Sequence, residues 1–129
     1  MLRLNVVTPE RPFLDEDCVS VTLPGACGEM EVLPGHAALL SELLAGIMVL
    51  EKPNKEVVRF MIGEGFVEVD HDQVNVLCEQ ARFKSEIDRT FEEGLQRDLE
   101  SKMAEHAESE RKLRVMELKR CMARLSLFE

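Results

Sequence analysis

The sequence predicts an α+β fold: an N-terminal antiparallel β-sandwich (flattened barrel) over residues 1–85, then a C-terminal two-helix antiparallel hairpin over residues 86–129. Three observations predict it. Glycine and proline cut the first part into short apolar runs, whereas residues 95–129 contain neither. Apolar residues alternate with period two before Ser85 and recur every three or four residues after it. Turn residues punctuate the first part about every eight to twelve positions, the spacing of all-β sandwiches and barrels.

Taken in order, Leu2, Leu4 and Val6 alternate with Arg3, Asn5 and Val7 and predict a first strand. Val19, Val21 and Leu23 alternate with Cys18, Ser20 and Thr22 and predict a second. Further strands are expected at 30–33, 47–50, 57–62, 66–69 and 74–77, separated by turns such as Pro24-Gly25, Pro34-Gly35, Pro53-Asn54 and Asp70-His71-Asp72. Residues 37–44 suit a short helical turn or a strand, because periodicity alone does not separate the two. Gly63-Glu64-Gly65 is expected to let a strand bend or a neighbour come close; a lone G-x-G does not make a phosphate loop.

The helical part begins at Ser85-Glu86-Ile87-Asp88, read as a capping box with Asp in place of Glu or Gln. Ile87, Phe91, Leu95, Leu99 and Met103 then form one apolar stripe, and Val115, Leu118, Met122 and Leu125 form a second with coiled-coil spacing. The polar stretch at 105–109 between them predicts the hairpin turn. It is a weak breaker, so one continuous helix over about 86–127, on the order of 60 Å long, is locally allowed.

Charge is sorted along the arm. The chain carries 16 Lys+Arg and 25 Asp+Glu, net −9. Residues 86–110 hold 9 acidic and 3 basic side chains, residues 111–129 hold 2 and 6. The acidic balance argues against sequence-independent nucleic-acid binding. Cys18, Cys27, Cys78 and Cys121 show no C-x-x-C or zinc spacing, and His36, His71 and His106 are scattered, so no metal site and no cofactor is expected. A reducing compartment is expected for these thiols. No signal peptide, transit-like stretch or membrane span is expected, since Met1–Asn5 leads straight into strand pattern and no apolar run nears 18 residues. Serine elbows, P-loops and dinucleotide fingerprints are missing, and an enzyme on a cupin-type jelly roll would need converging histidines that the sequence lacks.

The most specific run is Leu23-Pro-Gly-Ala-Cys-Gly-Glu-Met-Glu-Val-Leu-Pro-Gly-His-Ala37. It resembles the G-E-x-G-[IV]-x-P-G-H-A-P-L run of the epsilon subunit of bacterial F-type (proton-translocating) ATP synthases. Residues 62–69 (Ile-Gly-Glu-Gly-Phe-Val-Glu-Val) and 74–77 (Val-Asn-Val-Leu) resemble the family's second run near the end of its sandwich. Leu113-Arg114-Val115-Met116-Glu117-Leu118 looks like its second helix. There are departures. Glu31 stands where glycine is usual, Ala38 replaces proline, Glu64 replaces the first of two paired glycines, and Cys78-Glu79 replaces Ala-Asp. Some members bind ATP through I-D-x-x-R-A. Here Ile87 and Asp88 match, but Phe91 and Glu92 replace Arg-Ala. Arg89 lies about 200° around a helix from residue 91 and does not substitute, so weak or no ATP binding is expected.

The resemblance implies a non-catalytic rotor subunit of the central stalk that helps couple proton-driven rotation to ATP synthesis. The implied partners are the gamma subunit, the c-ring and the alpha/beta catalytic head. The implied place is peripheral, at the cytoplasmic face of the bacterial inner membrane. By the same analogy the loop holding Glu29 and His36 faces the ring. The helices form a regulatory arm that restrains ATP hydrolysis when extended, with Arg111, Lys112, Arg114, Lys119, Arg120 and Arg124 as a basic docking face. The alternative reading is a free-standing β-sandwich adaptor whose arm is a coiled-coil hook.

Overall fold

The computed structural model describes residues 1–103 and 108–129; residues 104–107, with His106 and most of the hairpin turn expected at 105–109, lie outside the described residues. The strands are β1 (Leu2–Val7), β2 (Pro12–Cys18), β3 (Ser20–Gly25), β4 (Gly28–Val32), β5 (Leu39–Leu43), β6 (Gly46–Glu51), β7 (Val57–Ile62), β8 (Gly65–Asp70), β9 (Gln73–Cys78) and β10 (Ala81–Arg82). A 3-10 turn (Lys84–Glu86) leads to α1 (Arg89–Lys102) and α2 (Glu108–Ser126). The hydrogen-bonded order is β10-β7-β6-β3-β5-β8-β9-β1-β2, with β4 on β3 off that path.

The period-two residues supply the core: Leu4, Val6, Leu23, Leu50, Val67 and Val76 all point inward and are buried. Within residues 37–44, Leu39–Leu43 forms a strand, with Leu39 and Leu43 on one face and Leu40 and Glu42 on the other. β2 escaped the sequence reading. It opens on Pro12 and carries Asp15, Glu16 and Asp17, a charged edge strand rather than an apolar run. Its acids meet Arg3 (2.8 Å to Asp15, 3.2 Å to Asp17) and Lys52 (3.2 Å to Glu16). The ladder is antiparallel except where β1 lies parallel to β9. No hairpin links those two strands, so nothing local fixes their relative direction.

The two end strands, β2 and β10, close the sandwich through side chains. Phe13 stacks on Phe83 with ring centroids 4.4 Å apart and leans on Phe60 at 5.2 Å. Arg82 reaches Glu10 at 3.3 Å, and Arg11 pairs with Glu86 while lying 5.3 Å over Phe13.

That clasp also moves the start of the helix. Glu86 accepts a bond from Phe83 N (3.0 Å) as well as pairing with Arg11, so residues 84–86 belong to the sandwich side. Ser85 is therefore not the cap. Asp88 is: its Oδ1 accepts from Phe91 N at 3.1 Å. The expected α1 stripe shifts too. Phe91 is 64% exposed, whereas Leu99 and Glu92 are buried. Seven residues turn a helix by about 700°, which sets Glu92 over Leu99, while eight residues put Phe91 about 80° away. On α2, Met122 is 50% exposed and Cys121 is buried in its place. The helix is covered on two sides, by α1 and by β6–β7, so a single coiled-coil seam does not describe it.

Gly65 is the tightest point of the sheet. A Cβ there would stand 2.0 Å from the Leu77 carbonyl oxygen, whereas at Gly63 the nearest atoms, on Gln80, are 3.3 Å away. Gly65→Ala is expected to destabilise the chain by about 3 kcal/mol and Gly63→Ala by about 1 kcal/mol, read from urea unfolding midpoints.

Candidate functional site

β-Sheet register places three outward apolar side chains side by side: Val7 opposite Leu77, and Leu77 opposite Phe66. Leu77 is 62% exposed and Phe66 57% exposed. With Pro9 they line an open cleft of about 420 Å³ rimmed by Glu64 and Glu79. Leu40, also exposed, stands one row further along, opposite Glu68. Contiguous aromatic and aliphatic exposure framed by charge is the character of a protein-docking surface.

At the loop end of the sandwich, His36 and Gly35 face the Asp70-His71-Asp72 turn across a shallow opening of about 700 Å³. Gly35 N donates to Asp72 Oδ1 at 2.8 Å, and His71 Nδ1 lies 2.8 Å from Asp70 Oδ1. Positive φ at His71 (48°) and Asp72 (62°) builds that turn. Glu29 is exposed on the β3–β4 hairpin opposite Pro24. His36 and the 70–72 turn line one opening at this end of the sandwich. His71 and Asp72 lay in a turn already read from the sequence, but only the fold brings that turn to His36.

The third element is the seat of the arm. Outward-facing Met61 of β7 is buried under Ala123 of α2 and Leu127 just beyond it, with Ala45, Ile47 and Ile87 packed around them. The unbroken Phe60-Met61-Ile62 run, buried on both faces of the strand, is the sequence signal of that seat. The six cations expected on one docking face are spread around α2. Arg111, Lys112 and Lys119 are exposed, and Arg114 lies 3.9 Å from Glu117. Arg120 and Arg124 turn inward. Arg120 pairs with Glu64 through both Nε (3.1 Å) and Nη2. Arg124 Nη1 donates to Gln80 Oε1, and its Nε lies 2.9 Å from Glu92 Oε1 without the alignment of a hydrogen bond. Glu92 Oε2 has no protein partner among the described residues. The Arg120 hydrogen bond holds the Glu64 carboxyl below the usual carboxylate range, against an opposing desolvation.

The partial nucleotide motif is engaged internally. Asp88 caps α1, Ile87 packs against the seat, and Glu92 occupies the ground between the helices. A cleft of about 180 Å³ lined by Gln80, Arg82, Glu86, Ile87, Glu92 and Arg124 therefore already contains two carboxylates beside its two guanidiniums. Among the described residues no His, Cys, Asp and Glu cluster suits a metal. Burial pushes the Cys18 and Cys121 thiols up to about 11 and Cys78 to about 12, so none is a nucleophile at neutral pH. No described helix is long and apolar enough to cross a membrane.

Known proteins resemble the chain in both parts. The family model of the ATP synthase delta/epsilon chain β-sandwich domain matches residues 1–84. The ATP synthase epsilon chain of Wolinella succinogenes is 48% identical over 81 residues, 63% of this chain and 62% of that protein. That of Sulfurovum sp. is 40% identical over 81 residues, 63% of each. These two alignments span less than two thirds of the relatives' own length. The Geobacter sulfurreducens epsilon chain is 33% identical over 128 residues, 98% of this chain and 92% of that one. A chain of the Euglena gracilis mitochondrial ATP synthase structure (OSCP/F1/c-ring, rotational state 1) shares the fold with TM-score 0.88 at 22% identity, covering 99% of this chain and 81% of its own.

The Glu92–Arg124 pair yields a double-mutant prediction. Arg124→Met strands a buried carboxylate and is expected to cost about 3 kcal/mol, while Glu92→Leu with Arg124→Met together recover most of that loss. Urea titrations of the two single variants and the double variant check it; additive losses would contradict the pairing.

Proposed function

The chain belongs to the ATP synthase delta/epsilon family, and we propose that it serves as the epsilon subunit in the central stalk of an F-type ATP synthase. It is a non-catalytic rotor part that helps couple proton-driven rotation to ATP synthesis. The observation that carries this reading is the Geobacter alignment, which runs through sandwich and helices alike. The sandwich docks on the gamma subunit and the c-ring, and the arm reaches toward the catalytic head. The exposed Val7–Leu77–Phe66 row supports a protein-docking role for one sheet face and is the proposed gamma contact. The end that groups His36 with residues 70–72, together with the Glu29 hairpin, is the proposed ring-facing edge. The subunit sits peripherally, at the cytoplasmic face of a bacterial inner membrane.

The arm is proposed to restrain ATP hydrolysis when it leaves the sandwich. Exposed Arg111, Lys112 and Lys119 are available to an acidic partner in the folded state, whereas Arg120 and Arg124 become so only on release. No nucleotide is needed to hold the folded arm, because Glu92 supplies an anion between the helices.

Co-purification tests the docking reading: Phe66→Asp is expected to weaken association with gamma by at least about ten-fold. Truncation after Ile87, which keeps the Arg11–Glu86 clasp, is expected to raise ATP hydrolysis of the reassembled complex; unchanged hydrolysis would remove the restraining role and leave the coupling role. Titration of the isolated chain with Mg-ATP in a calorimeter is expected to show no micromolar binding.

A further inference from the structure

Glu64 belongs to two places at once. It rims the cleft of the apolar row, and it holds Arg120 of the arm. It also stands between two glycines. Gly65 is required by the close approach of residue 77 and Gly63 lies against Gln80, so Glu64 carries the only side chain of the 63–65 segment.

We infer that Glu64 couples docking on the row to release of the arm: a partner helix that lays apolar side chains on Val7, Leu77 and Phe66 and brings a lysine or arginine to the rim competes with Arg120 for the Glu64 carboxylate. The inference rests on the reading of the row as the gamma contact. Three features carry it. The rim is acidic, with Glu64 and Glu79, so its complement is an apolar helix with a cation beside it. The Glu64–Arg120 pair keeps side-chain exposures of 31% and 22%, open to an incoming cation, whereas the Glu92–Arg124 pair is sealed at 10% and 13%. Arg120 engages Glu64 through two nitrogens, one on each carboxylate oxygen, so a cation brought to the same two oxygens competes with it directly. Linkage makes the effect mutual: a docked partner loosens the arm by the same factor that the folded arm weakens docking.

A spin-label distance measurement on the full chain tests this. Labels go at Glu56→Cys and Lys119→Cys, both exposed sites, with Cys27→Ser; the three buried cysteines stay. The probe is the gamma subunit of the same complex. In the otherwise unaltered chain, saturating gamma is expected to raise the long-distance fraction at least about five-fold. In Glu64→Gln that fraction is expected to be raised without gamma and to change less than about two-fold on adding it. Gamma binding that leaves the distances unchanged, or equal responses in both chains, overturns the coupling alone. If gamma fails to bind, or binds Phe66→Asp equally well, the docking reading falls and the coupling falls with it.

Discussion

The arm rests on a narrow apolar seat. Met61 points out of the sandwich, Ala123 and Leu127 cover it, Ala45, Ile47 and Ile87 pack around it, and polar contacts flank the seat. Alanine at 123 lets the helix come close, but it buries little surface. A seat of this size contributes a few kcal/mol at most, by the area removed from water. The polar contacts around it, Glu64 with Arg120 and Gln80 with Arg124, add about a kcal/mol each and fix where the helix sits on the sheet. The sandwich below does not depend on the arm in this way. Its core and its Phe13–Phe60–Phe83 clasp are complete among the strands.

This division suits the proposed rotor role, which asks for rigidity where torque is transmitted and movement where hydrolysis is restrained. The sheet closes on itself through side chains, so its docking faces keep fixed geometry. The helices carry cations that have acidic choices both inside and outside the chain, and differential contact with partners moves such an equilibrium. Glu92 makes the folded choice self-contained. It fills with protein charge a place where an anion would otherwise be attracted by Arg124.

The fold was legible where chemistry is local. Period-two runs such as Leu2-Leu4-Val6 and the Pro-Gly turns give most strands, and the run without breakers gives the helices. Strand β2 was hidden because Asp15, Glu16 and Asp17 break its apolar alternation; it is held by its ladder with β1 and by Phe13 and Leu14 packing on the core. The cap fell on Asp88 rather than Ser85 because Arg11, 75 residues from Glu86 in sequence, takes that carboxylate for the sandwich. The site was legible as a family and as a list of cations. Which way each cation points was not, since Arg120 and Arg124 are set by Glu64 and Gln80, 56 and 44 residues away. The apolar row was invisible for a related reason. Val7, Leu77 and Phe66 come from three strands and meet only through register.

The central claim is that the arm is held separately from the sandwich and less firmly. Native-state hydrogen exchange of the isolated chain in low urea measures this directly. Amides of residues 118–125 are expected to exchange through an opening well below the global unfolding free energy, while those of β3 and β6 exchange only with global unfolding. Equal opening free energies for the two sets would contradict the account.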